Sequence, residues 1–266
     1  MKKRIGYGSF EVNDVPTLKK CIKQAVLSGY DFVDTAYYYQ NEEAIGKAIK
    51  ELREEGFDKP ILVQTKIWPE HYGNVRDAVL LSCQKLQTNK LDMCLLHRRH
   101  FNLNMDLSAW EQLIECQKEG LVGEIGVSNF DRDALEIMRQ RTGVYPLSNQ
   151  IELSVNNLRE DRVVYNHSKG IEVQAWSPLG DLENNLKNPV LIEMAKKYNT
   201  DVAGVLIAYV GSLNCSIIVK TSNPDRVVSN YKAFQIILEE SDVEKLKKLN
   251  TYKIKYSESF IYDIDN

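Results

Sequence analysis

Four side chains of complementary acid–base character recur at nearly even intervals along this chain: Asp34, Lys66, His97 and Ser128. The interval is about 31 residues, the size of one strand–crossover–strand unit. Each residue closes a short apolar run, as do Gln150 and Lys220 further on. If the runs are strands of a closed barrel, their C-terminal ends share one rim, where barrel enzymes gather catalytic groups from different strands. A carboxylate, an ammonium, an imidazole and a hydroxyl meeting there could hold and move a proton.

A second group lies late in the chain. Ser177-Pro-Leu-Gly180 follows the seventh run, and Lys220-Thr-Ser-Asn-Pro-Asp-Arg226 follows the eighth. Asn223 followed by Pro224 reads as an N-cap with proline at the first helical position. Free N–H groups and a positive dipole end at that helix start suit an anion, with Lys220, Thr221 and Arg226 beside it. No glycine-rich Rossmann fingerprint or P-loop is present, so a phosphate site would be of the barrel type. His97-x-x-His100 has the spacing of two metal ligands but lacks a third, and no metal is expected. A metal-dependent barrel hydrolase, the reading this pair would support, should lose activity to a chelator.

The elements that must position these groups are legible as eight apolar runs. They are Ile5 to Phe10, Tyr30 to Asp34, Ile61 to Lys66, Leu91 to His97, Glu124 to Ser128, Leu147 to Ile151, Ile171 to Trp176 and Ser216 to Lys220. Amphipathic segments lie between them. Leu18, Ile22, Ala25 and Val26 form one stripe, Tyr72, Val75, Val79, Cys83 and Leu86 another, and Leu107, Trp110, Leu113 and Ile114 a third. Asp131 reads as an N-cap, and Ser241-x-x-Glu244 as a capping box. Strands alternating with helices imply a parallel sheet. Eight units predict an α/β fold, a (β/α)8 TIM barrel, as a single domain over residues 1–266 with an extra C-terminal helix. Lys253 to Asn266 reads as an extended tail packed partly on the barrel.

The chain has 266 residues, 43% hydrophobic and 27% charged, with a net charge of −3. That excludes a disordered or collagen-like chain and argues against a general nucleic-acid or anionic-membrane binder. No apolar stretch approaches the length of a membrane span; Val202 to Leu213 reads as a buried helix. The basic start lacks the apolar core of a signal peptide. The five cysteines show no paired spacing, which fits neither a disulfide framework nor a zinc cluster. A cytoplasmic, reduced setting and a monomer are expected.

These residues carry a resemblance to the aldo-keto reductase superfamily over Gly6 to Asn250. Asp34-Thr-Ala-x-x-Tyr39 with Asn41-Glu42 resembles the first signature, Thr65-Lys-Ile-Trp68 the lysine segment, and Leu91-Asp-x-x-Leu-Leu-His97 the histidine strand. Gly126-Val-Ser-Asn-Phe130, Asn149-Gln-Ile-Glu152, Ala175-Trp-Ser-Pro-Leu-Gly180 and Lys220 to Arg226 resemble the cofactor-binding segments. The resemblance implies NADPH-dependent interconversion of a small carbonyl substrate and an alcohol. Tyr39 would be the general acid, Lys66 held by Asp34 would lower the phenol's pKa, and His97 would orient the carbonyl. Ser128, Asn129 and Gln150 would hold the nicotinamide carboxamide, and Trp176 would stack on its ring. Ser177 and Leu179 would lie along the pyrophosphate, with Lys220, Thr221 and Arg226 at the ribose 2′-phosphate and Asn230 at the adenine.

The chain departs from that pattern in places. His97 is followed by Arg98-Arg99-His100 rather than an aromatic and a proline. These positions are expected to line the substrate pocket beside Phe10 and Trp68, and Arg98 is suited to an anionic substrate such as a keto acid. Ser154 stands where a histidine is common. Only four residues precede Ile5, so a hairpin closing the barrel floor is expected to be missing or reduced. Short rim loops predict a shallow, open pocket. The competing reading on the same fold is an NADPH-binding regulatory subunit with little turnover, resembling the potassium-channel β subunits.

Overall fold

The computed structural model describes residues 2–252. Eight parallel strands close into a barrel in chain order: β1 Ile5–Gly8, β2 Phe32–Asp34, β3 Val63–Ile67, β4 Leu91–Leu96, β5 Val122–Ser128, β6 Ser148–Glu152, β7 Glu172–Trp176 and β8 Ser216–Lys220. Each crossover carries helix: α1 Val15–Ser28, α2 Glu42–Glu54, α3 Val75–Leu86, α4 Leu103–Lys118, α5 Arg132–Thr142 and α6 Glu160–Ser168. The last long crossover holds α7 Leu182–Asn185, α8 Pro189–Lys197 and α9 Val202–Ser212. After β8 come α10 Pro224–Phe234 and α11 Glu240–Lys247, the extra C-terminal helix. The expected tail from Lys253 lies outside the described residues.

Two different interiors result. Between barrel and helices lies the apolar core, where the stripes of α1 and α4 bury Leu18, Ile22, Trp110 and Leu113. Helix α9 is apolar almost all round and buries nine of its residues there. Inside the barrel, among the described residues, Phe32, Met93 and Ile218 form a small separate apolar cluster. Arg4 fills the foot of the barrel, with Nε 3.0 Å from Glu172 Oε1 and Nη1 2.8 Å from Glu124 Oε2. No helix among the described residues is long and apolar enough to cross a membrane. All five cysteines are free and buried.

Most strand bounds differ from the apolar runs by one or two residues. Tyr30 is apolar in pattern but packs outward on α10, donating its hydroxyl to Val227 O, so β2 starts later. Tyr72 precedes α3, and its ring is buried with its hydroxyl on the Arg98 carbonyl. Asp131 and Asn223 do cap α5 and α10, accepting from Ala134 N and Asp225 N. The capping box at Ser241 is not formed. Helix α11 starts earlier, with Glu239 at the cap, because Tyr198 Oη receives Glu239 N while Lys197 grips both Glu239 and Asp242.

Gly46 shows how closely the outer layer is packed. A methyl group there would stand 2.5 Å from Lys85 O and 2.8 Å from Leu86 C at the end of α3. In an exposed helix, alanine for glycine stabilises by about 1 kcal/mol. Here the obstacle is backbone, and the sign reverses. Gly46→Ala is expected to lower the urea unfolding free energy by about 1–3 kcal/mol; a raised midpoint would contradict the packing.

Candidate active site

Lys66 lies within β3, fully buried, and its ammonium has three donors. All three are used. Nζ is 2.7 Å from Asp34 Oδ2, 2.8 Å from Thr35 O and 3.2 Å from Tyr39 Oη. Because Lys66 donates to the phenol oxygen, the proton on Tyr39 is free to point elsewhere. The local chain explains the placement. Asp34 ends β2, and a short 3-10 turn, Tyr37–Tyr39, folds back over the rim. Buried Asn41 fixes that turn by donating to Ser9 O and Val12 O while accepting from Thr35 Oγ1. Glu42 accepts from Thr65 Oγ1 at 2.6 Å, tying α2 to the strand beside Lys66.

Tyr39 opens on a rim cavity of about 760 Å³, within the usual size of small-molecule sites. His97, just past β4, faces it with its ring 5.7 Å from that of Tyr39. The His97 pKa is held well below the usual imidazole value, first by burial and then by Lys66 and Arg98. Its Nδ1 is buried without a hydrogen-bond partner among the described residues. A neutral ring with one nitrogen toward the cavity can donate or accept a hydrogen bond without carrying charge. The expected lowering of the Tyr39 pKa is corrected: burial is the largest influence and raises it, Lys66 pulls it down in part, and the net shift is upward. Lys66 itself is shifted up, since Asp34 and Tyr39 outweigh its burial.

The other rim groups converge as expected, with exceptions. Ser128, Asn129, Gln150, Trp176, Ser177 and Leu179 all line the cavity. Asn129 Nδ2 donates to Ser128 Oγ at 3.0 Å and to His97 O at 3.1 Å, and Trp176 Nε1 donates to Asn129 Oδ1 at 3.0 Å. That bond ties the edge of the indole to Asn129 at the cavity wall. Lys220 lines the far end, 3.4 Å from Glu11. Thr221, Arg226 and Asn230 do not line it. They sit beyond its edge, on the β8–α10 loop and the exposed first turns of α10.

The substrate-side expectations divide. Phe10, Trp68 and Arg98 line the cavity, with the Arg98 guanidinium 5.6 Å from the Trp68 ring centroid. Arg99 and His100 do not. Arg99 turns into ion pairs with Asp106 at 3.1 Å and Asp131 at 2.9 Å, and His100 Nδ1 accepts from Asn102 N. Burial pushes the Asp106 carboxyl up to about 6 despite Arg99.

Three features were not anticipated. Tyr38 stacks on Trp68 at 4.2 Å and adds a second flat wall. Glu11, Asn129 and Ser177, all lining the cavity, adopt left-handed backbone, a strain that collects at functional sites. Gln64 and Gln174 fill the lumen beneath Asp34; their signal was polar residues at alternate positions of β3 and β7, the positions that face inward.

Gly180 also borders the cavity, at a φ of 56°, and a methyl there would collide with Asn156 Oδ1 and stand 2.8 Å from Ser154 Oγ. The loop after β7 can lie this close only with glycine.

Comparison with known proteins places this geometry. A profile of the aldo/keto reductase family matches residues 4–251. Methylglyoxal reductase DkgA of Escherichia coli is 31% identical, covering 94% of this chain and 90% of its own. Glyoxal reductase of Bacillus subtilis is 32% identical, covering 92% and 88%. An aldo-keto reductase of Bombyx mori solved in complex with NADP superposes with a TM-score of 0.89 at 25% identity, over 97% of this chain and 92% of that one. The chain belongs to the aldo/keto reductase family.

The depressed His97 pKa ties stability to pH. The folded chain resists the proton that the unfolded chain takes up below about pH 6.5. The stabilisation from neutral His97 is therefore full above that value and lost as pH falls. Between about pH 6.5 and 5, the unfolding free energy of the wild type is expected to fall more steeply than that of His97→Gln. The difference in slope is bounded by about 1.4 kcal/mol per pH unit. Parallel slopes in urea titrations would contradict the buried neutral ring.

Proposed function

We propose that this aldo/keto reductase reduces a small aldehyde or ketone to the alcohol with NADPH as hydride donor, and that Tyr39 delivers the proton. The observation that carries the reading is the threefold donation of Lys66, which engages the Tyr39 oxygen as an acceptor and leaves its proton free for a substrate. The relatives named for methylglyoxal and glyoxal reduction support a small carbonyl substrate, and the NADP complex of the Bombyx mori protein supports the cofactor.

The residues present fit that cofactor. Gln150 uses both amide hydrogens on Asp34 and Gln174, so its Oε1 is the atom left to accept from a carboxamide N–H. Ser128 and Asn129 stand beside it, and the indole of Trp176, tied to Asn129 through Nε1, offers a flat aromatic face to a planar ring. Ser177 and Leu179, on the close-packed turn that Gly180 permits, would run along the pyrophosphate. Lys220, Thr221 and Arg226 surround the start of α10, where a 2′-phosphate would meet charge-assisted donors, with Asn230 one turn on at the adenine.

When bound, NADPH supplies the hydride to the carbonyl carbon. His97 and Tyr39 hold the carbonyl oxygen from two sides, and charge developing on it meets N–H and O–H donors already in place. As the oxygen gains charge, Tyr39 gives up its proton, and the Lys66 ammonium stabilises the phenolate left behind. Asp34 keeps that ammonium in place. Arg98, beside the flat walls of Trp68 and Tyr38, favours carbonyls that carry a carboxylate.

Loss of reduced-nicotinamide absorbance against a panel of aldehydes, dicarbonyls, 2-oxo acids and the matching neutral amides tests this. Turnover is expected, faster for the acids than for their amides. Tyr39→Phe should lose roughly 10²- to 10⁴-fold in kcat with NADPH affinity retained; wild-type turnover in that variant would remove Tyr39 as the acid. Arg226→Ala is expected to reduce the preference for NADPH over NADH by about tenfold, and an unchanged ratio would displace the 2′-phosphate from this loop.

A further inference from the structure

Below the proton-delivering groups, the barrel lumen holds a closed set of amides. Gln64 on β3 and Gln174 on β7 face each other across the lumen and exchange both hydrogen bonds, at 2.9 and 3.1 Å. Gln64 directs its second N–H to Asp34 Oδ1 at 2.7 Å, and Gln150 adds another at 3.0 Å. The second N–H of Gln150 goes to Gln174 Oε1 at 3.2 Å, and that of Gln174 to Glu172 Oε2 at 3.5 Å. Glu172 is itself gripped by Arg4 and Ser216 at the barrel foot.

Every amide N–H in this set is used, and the set ends on carboxylates at both sides. Carboxylates accept and do not donate. The direction of each amide is therefore forced: nitrogens of Gln64 and Gln150 to Asp34, nitrogen of Gln174 away from it. Both lone-pair directions of Asp34 Oδ1 are filled from below, which leaves Oδ2 for Lys66. A carboxylate held by one oxygen in this way cannot rotate without breaking two buried hydrogen bonds.

We propose that Gln64, clamped by Gln174, is a positioning residue for the reaction: it fixes the Asp34 carboxylate, and through it the Lys66 ammonium under Tyr39. It does not line the cavity; its direct link to the proton-delivering groups is Asp34, and its bonds to Gln174 brace the amide that also receives Gln150. The proposal rests on the reductase reading for its effect on turnover, but not for its effect on Lys66.

Two near-isosteric variants test it. Gln64→Met removes the donor and keeps the volume. It is expected to lower kcat roughly 10- to 100-fold while the Kd for NADPH stays within about twofold. Gln64→Glu can still donate to Asp34 when its carboxyl is protonated. Its kcat should approach wild type toward pH 5 and fall away as the introduced carboxyl ionises, whereas Gln64→Met should be depressed at every pH. Independently of turnover, hydrogen exchange of the Lys66 ammonium, its resonance identified by loss in Lys66→Met, should quicken about tenfold or more in folded Gln64→Met. Unchanged Lys66 exchange overturns the proposal, whatever the activity. So does wild-type kcat in Gln64→Met, or a loss in Gln64→Glu that is uniform with pH. Absence of carbonyl turnover in the wild type would instead overturn the reductase reading, and the exchange experiment would still decide the positioning role.

Discussion

The ion pair between Lys66 and Asp34 is the contact on which the site depends. Both groups are buried within the barrel, where leaving either charge alone would cost several kcal/mol. The structure meets that cost with hydrogen bonds: acceptors for all three ammonium donors, and three donors for the carboxylate, two on Oδ1 and one on Oδ2. Such a pair adds little net stability compared with apolar residues of equal size. What it gains is a cation held at one point beneath a phenol, which leaves the phenol's own proton free to point elsewhere.

The rest of the fold can be read as what allows those charges to be buried. The apolar core that holds the molecule together lies outside the strands, between barrel and helices. The lumen is thus released from supplying the main hydrophobic core and, beside the small Phe32, Met93 and Ile218 cluster, holds a polar column. It rises from Arg4 and Glu172, through Gln174 and Gln64, to Asp34 and Lys66. Strand geometry makes this possible, since alternate residues face inward and register sets Asp34 beside Gln64 and Gln150 beside Gln174. At the top, where strands end, buried order gives way to flat aromatic walls and left-handed turns that shape the cavity.

Much of this was legible in the sequence for one reason: a barrel makes position along the strand predictable from chain spacing. Asp34, Lys66, His97 and Ser128 recur once per unit and do converge. Asn223 and Asp131 cap helices as their neighbours suggest. The lumen was harder to read. Gln64 and Gln174 sit within runs that look like buried strands, and their partnership spans 110 residues across the barrel. No local pattern carries that pairing. Arg98 and Arg99 are adjacent and chemically alike, yet one lines the cavity and the other is drawn to Asp106 and Asp131 on neighbouring helices. The direction of the Tyr39 shift was also missed, because charge proximity is visible in a motif whereas burial is not.

The central claim is that the buried pair serves proton delivery rather than stability. The double variant Asp34→Asn, Lys66→Met separates the two. It removes both charges at once, so neither is stranded, and the barrel should remain folded and bind NADPH. The decisive measurement is its kcat for a carbonyl that the wild type reduces. A fall of roughly 10²-fold or more in a folded, NADPH-binding protein is the expected result. Turnover at the wild-type rate would contradict the account, because Tyr39 would then deliver its proton without a cation beneath it.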